Sequence, residues 1–306
     1  MENLTAIFFW GFLALYGITM TILSPKALTL GSFFKGEDKD GKKPSSFILT
    51  SSIFISWIFA KSVTNAANLG ADYGIVGGIA YATYWLCIPL AGFVIYRLRR
   101  KFKANRLVNF LSDNYGKTAA LAFSAAILIR LFNEVWSNSS VIGGYYGASG
   151  SNNFIIASSV FTIITLIYSG GLLSSLLIAK DLPNLKGIDL GNKSKIIGMS
   201  VMALFAIVGN LPMVFGTNIL AATTISGTMV MGLAPIFLLH GFIKPTKIGF
   251  HLSFWIGIFL GVAYTMGIIP KAFEIGDGKS ALLLGVNLYG LVLCFLAYII
   301  PGLIKK

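Results

Sequence analysis

Charge is what this sequence has least of. Of its 306 residues only 11% are Asp, Glu, Lys or Arg, against about a quarter in a soluble domain. That scarcity, with 56% hydrophobic residues and a mean hydropathy of +0.79, excludes an ordinary water-facing surface and points to a lipid-facing one. Cysteine is scarce as well: Cys87 and Cys294 each lie inside an apolar run, so a disulfide framework is excluded. The two histidines, His240 and His251, lie near the ends of apolar runs with no neighbouring Cys, Asp or Glu. They read as satisfied interfacial histidines rather than zinc ligands. Missing too are a phosphate-cradling Gly loop with its Lys, a nucleophile elbow and a metal-ligand cluster, so no enzyme is expected.

What is abundant is apolar runs. A membrane span needs about 20 mostly apolar residues, and nine segments qualify or nearly do: 4–23, 47–69, 76–97, 119–138, 153–180, 194–215, 218–241, 250–269 and 281–301. The first run has no basic residue before it and no small-residue cleavage site after it, which makes it a poor signal peptide and a first span with its N-terminus outside. With that start, the stretches 24–46 and 97–118, the later inner loops and the C-terminus hold 20 of the 24 Lys and Arg, and the outer segments hold two, Lys271 and Lys279. The expectation is a single all-α transmembrane domain of about nine helices, N-terminus outside and C-terminus inside. It would be a multi-pass integral protein of the cell (plasma or inner) membrane. The net charge of +13 belongs to this topology signal and not to nucleic-acid binding. The basic run RLRRKFKANR also has the chemistry to meet anionic lipid headgroups.

The remaining two basic residues, Lys61 and Arg130, are placed at membrane depth, and Glu134 stands one turn after Arg130. Ionisable groups there are costly and usually face a protein interior or a wet pathway. Arg130 and Glu134 have two readings, an i, i+4 pair that only glues helices or a functional pair. Asn138, Ser139 and Ser140 extend the polar face begun by these two residues. Lys61 is expected to pair with Glu134 or to sit at a wet cavity. The run Lys61–Asn68 is polar on every face. It reads as an interrupted, cavity-lining helix or as a span packed deep in the bundle. Trp136, Tyr145 and Tyr146 have the surface to stack on a solute or to form an interfacial belt. In ILAATTISGTMVMGLAPIFLL, small residues suit close helix packing, and Gly232 and Pro235 suggest a kink. The inner loops are too short for an ATP-hydrolysing domain, so any transport is secondary or passive.

Several motifs in order resemble one family. A short FFKG loop is followed by the polar stretch SWIFAKSVTNAANLGADYG, the basic segment RLRRKFKANRLVNFLSDNYG, the helix LIRLFNEVWSNSSVIGGYYG and then IYSGG. KDLPNLKG and GNLPMVFGTNILAATTISGTMVMGLAPIFLLHG follow later in the chain. This order resembles the sodium:solute symporter family over most of the sequence. The resemblance implies a LeuT-like fold of inverted repeats with solute bound near the midplane. The chain departs from that plan after IYSGG, where about four central core helices of such a bundle are missing; an even number preserves the orientation downstream. What remains is a partial LeuT-like symporter bundle.

The resemblance implies Na+ as the coupling ion, bound around Ile55, Ser56 and Ala60, with Ser174 and Ser175 either a remnant of the opposing hydroxyl pair or simply the serines that follow Gly-Gly. On the solute-facing side stand Lys61, Thr64, Asn65 and Asn68, joined by Arg130, Glu134 and Asn138. The expected function is secondary transport of a small polar or charged solute. The competing expectation is a shortened, non-transporting relative that binds a membrane partner, either a second copy of itself or a full-length relative, or an inactive deletion product. No other cofactor is expected.

Overall fold

The computed structural model describes residues 2–23, 29–37, 40–56, 60–168, 176–210, 226–278 and 280–304. It is 80% helical, with no strand among the described residues. In chain order the helices are α1 (Glu2–Leu23), α2 (Leu30–Lys35), α3 (Ser46–Ser56), α4 (Ala60–Thr83), α5 (Cys87–Arg100), α6 (Leu107–Tyr115), α7 (Lys117–Gly144), α8 (Asn152–Tyr168), α9 (Leu182–Leu185), α10 (Lys193–Gly209), α11 (Leu233–Leu238), α12 (Lys247–Thr265) and α13 (Ala281–Ile304). Among the described residues four helical stretches are long and apolar enough to cross a membrane: Lys61–Arg100, Lys117–Gly144, Lys247–Thr265 and Ala281–Ile304. Shorter apolar helices run over Ala6–Ile22, Asn152–Ile164 and Ser226–Leu238. This architecture is compatible with a membrane protein.

The 40-residue stretch Lys61–Arg100 is not one straight rod. Gly74 interrupts α4 with φ 60° and ψ −144°, a conformation open in practice to glycine alone. Beyond it Gly77 lies against the Leu69 backbone, eight residues earlier. In an unbroken helix those residues would be about 12 Å apart along the axis, so the chain folds back at this glycine. The break falls between the expected segments 47–69 and 76–97.

The chain divides into two compact units, residues 1–84 with 131–219 and residues 85–130 with 220–306. In the first, α1 packs on α8, α8 on α10, and α10 on α2 and on the π-helical turn Leu177–Asp181. Leu13 and Phe154 are buried in it. Gly143 approaches Phe154 and Ser158 of α8, and Gly209 approaches Val135 of α7, so that helices with no Cβ at the contact come close. Tyr146 stacks on Phe9 with ring centroids 4.9 Å apart and meets Trp10 edge-on.

The second unit is built on the α12–α13 pair. Phe250 and Phe254 of α12, Tyr298 of α13 and Tyr115 of α6 are essentially fully buried. The chain turns at Met231–Gly232 before α11, where the sequence suggests a kink. Ser253 Oγ donates to the Gly232 carbonyl at 2.7 Å, and Gly257 abuts the Gly232 backbone. Close approach is therefore what the small residues of this segment provide.

Candidate functional site

The first unit holds its charge at the opening of α4. Lys61, only 4% exposed, forms an ion pair with Glu134 of α7, whose side chain is 21% exposed. The first N–H groups of a helix have no acceptor within it. Here the Lys61 N–H donates to Asn138 Oδ1 at 3.2 Å, and Asn138 Nδ2 donates to the Glu134 carbonyl at 2.8 Å. Asn138 thus ties the start of α4 to the turn of α7 that carries Glu134. A carboxylate near a helix N-terminus also gains from the helix dipole. Asn65 lies one turn beyond Lys61 on the same face of α4. It is 3% exposed, and its Oδ1 finds no donor among the described residues.

The structure therefore brings together four of the expected solute-facing residues, Lys61, Asn65, Glu134 and Asn138. Thr64 is half-buried beside them in sequence, whereas Asn68 is exposed. Polarity on every face of this run includes positions that the fold leaves on the surface. Arg130 belongs to the second unit, where its guanidinium donates to Ser226 Oγ. Among the expected sodium ligands, Ile55 and Ser56 end α3 and Ala60 opens α4, while Ser174 and Ser175 lie outside the described residues.

The polar face expected to continue through Ser139 and Ser140 is in fact divided. Successive residues of a helix stand about 100° apart, so Asn138 reaches α4 while Ser139 turns to α8. There Ser139 Oγ meets Thr162 Oγ1 at 3.2 Å, Ser158 Oγ donates to the Ser139 carbonyl at 3.1 Å, and Asn210 Nδ2 donates to Thr162 Oγ1 at 2.7 Å. Sequence reasoning missed this second polar seam. Its signal was the i, i+4 spacing of Ser158 and Thr162 in an otherwise apolar helix. Tyr146, one of the aromatics weighed for stacking on a solute, is engaged by α1; Trp136 is buried and Tyr145 is exposed.

A further cluster lies in the second unit. Tyr115 Oη is bonded to His240 Nδ1 at 3.0 Å and to Tyr298 Oη at 2.7 Å. Arg97 donates to the carbonyls of Leu238 (3.1 Å) and His240, and its guanidinium lies 4.4 Å from the Phe242 ring centroid. These are carbonyls that the end of α11 leaves without helical partners. The structure thus gives Arg97 a capping role beyond its place in a basic run. His240 lies in the turn beyond Leu238. Burial beside Tyr298 holds the Tyr115 hydroxyl above the usual phenol range. His251 bonds Thr118 Oγ1 at 3.1 Å. Both histidines thus have hydrogen-bond partners, as their positions in the sequence suggested.

Comparison with protein families, with curated proteins and with solved structures gives no match to this chain.

Proposed function

We propose that this chain is a multi-pass membrane carrier for a small polar solute, with its binding site where α4 meets α7. The observation that carries this reading is the Lys61–Glu134 pair, buried and braced by Asn138, with the Asn65 Oδ1, on the same helix face one turn from Lys61, without a donor among the described residues. A buried ion pair is a poor source of stability, because desolvating two charges offsets most of their attraction. Retaining one at membrane depth is characteristic of solute and ion pathways. In this reading Lys61 and Glu134 hold the solute's charged or polar groups, and Asn138 fixes their spacing. The wider frame is the nine-span topology with N-terminus outside and C-terminus inside, a shortened member of the sodium:solute symporter family, and secondary transport with Na+ as the coupling ion.

The test is uptake by purified protein in liposomes, across a panel of small solutes, with and without an inward Na+ gradient. The reading predicts uptake that falls at least tenfold in Glu134→Gln. Absence of uptake for every solute overturns it, and uptake indifferent to Na+ overturns the coupled version alone.

A specific observation favours a second reading, a non-transporting membrane partner. In the most apolar window of Lys61–Arg100 no residue is buried within the chain, which leaves that surface for lipid or for another membrane helix. Co-purification with a second copy or a longer relative, together with no uptake, would select it.

A further inference from the structure

We propose that the solute is a zwitterion: a small molecule carrying one carboxylate and one ammonium group, with no net charge. The inference rests on the carrier reading and names the solute class of that same site. Its starting point is neutrality. Lys61 and Glu134 are both largely withdrawn from solvent, and together their charges cancel. A solute with a single charge can break this pair only by leaving a third charge uncompensated, which a low-dielectric site penalises heavily. An uncharged solute must either leave the pair closed or part it without replacing its electrostatics. A zwitterion alone can insert and re-pair both halves, its carboxylate to the Lys61 ammonium and its ammonium to the Glu134 carboxylate. The net charge of the pair together with its solute is then zero, as that of the pair alone is.

The hydrogen-bond inventory points the same way. An ammonium brings three N–H donors and no acceptor. Glu134 can accept from it, and the Asn65 Oδ1, 3% exposed as a residue and lacking a donor among the described residues, is an acceptor one helical turn from Lys61. Both halves of the Asn138 amide are already used, one on the Lys61 N–H and the other on the Glu134 carbonyl. Asn138 is therefore a positioning residue, which holds the two charged groups at a fixed span without needing to touch the solute.

The test uses the full chain in liposomes. Equilibrium binding and uptake are measured for glycine, alanine, β-alanine and leucine, for the corresponding amides (cations), for the corresponding acids without the amine (anions), and for glycerol. The expected result is that at least one zwitterion binds tenfold or more tightly than its own amide or amine-free acid. Glu134→Gln then shifts the preference toward the acid, and Lys61→Gln shifts it toward the amide. The double variant, which leaves no lone buried charge, recovers most of the thermal midpoint lost in the single variants and loses the preference. Binding of an acid, an amide or glycerol in place of the zwitterions, or a preference unmoved by the single variants, overturns the zwitterion assignment while leaving the carrier reading standing. Failure of every solute to bind or enter overturns both.

Discussion

At the residue scale, the account rests on a buried ammonium paired with a carboxylate, Lys61 with Glu134. Glu134→Gln would leave the Lys61 ammonium buried without its carboxylate, and removal of one partner of a buried pair costs about 3–5 kcal/mol. We expect a clear fall in the thermal midpoint of the purified protein in detergent for Glu134→Gln and for Lys61→Gln, with most of it recovered in the double variant. A midpoint unchanged by either single substitution would show that the pair is not closed in the folded protein. The pair was legible in the sequence because charges at membrane depth are few, so the need for partners narrows the choice. Arg97 was not legible. It stands in a run of seven basic residues within 97–117, any of which serves to fix topology, and its acceptors lie more than 140 residues away in the chain. The hydroxyl seam of Ser139, Thr162 and Asn210 was hidden for a similar reason. Single hydroxyls are tolerated anywhere in an apolar helix, and only the fold shows which of them meet.

At the element scale, the informative feature is the break in α4. Hydropathy separated 47–69 from 76–97 because Asn68, Gly70, Asp72 and Gly74 dilute the apolar pattern between them. It could not show that one glycine carries the reversal. Gly74→Ala forces a side chain into the φ 60°, ψ −144° conformation, at a cost of about 1–3 kcal/mol. Gly70→Ala is the control, since a Cβ there meets open space. The thermal midpoint should fall for Gly74→Ala and hold for Gly70→Ala; equal effects would mean that the chain does not depend on the bend. Gly257 offers a second test, because a Cβ there would press on the Gly232 backbone. Gly257→Val should destabilise the second unit in the same assay, while a tolerated valine would contradict close α11–α12 packing.

At the scale of the whole molecule, composition and apolar runs indicated an all-helical, lipid-facing chain; the structure is 80% helical with no strand among the described residues, and its apolar helices are compatible with a membrane. Span number is less directly readable. Among the described residues four helical stretches meet a strict length and apolarity standard. Orientation is a separate prediction. If basic residues mark the inner side, a single cysteine at Ser151 in a background without Cys87 and Cys294 should react with an impermeant thiol reagent added outside intact cells, and one at Ala104 should not. The reverse pattern would invert the topology.

The central claim is that Lys61, Asn65 and Glu134 border a compartment that water and solute can enter from the membrane's aqueous faces. Its most direct measurement is the reaction of Asn65→Cys, in the same cysteine-free background and in bilayers, with a small hydrophilic thiol reagent. The account predicts modification at Asn65→Cys that a bound solute slows, and none at Val63→Cys on the exposed apolar side of the same helix. A folded protein in which Asn65→Cys stays as unreactive as Val63→Cys would contradict it.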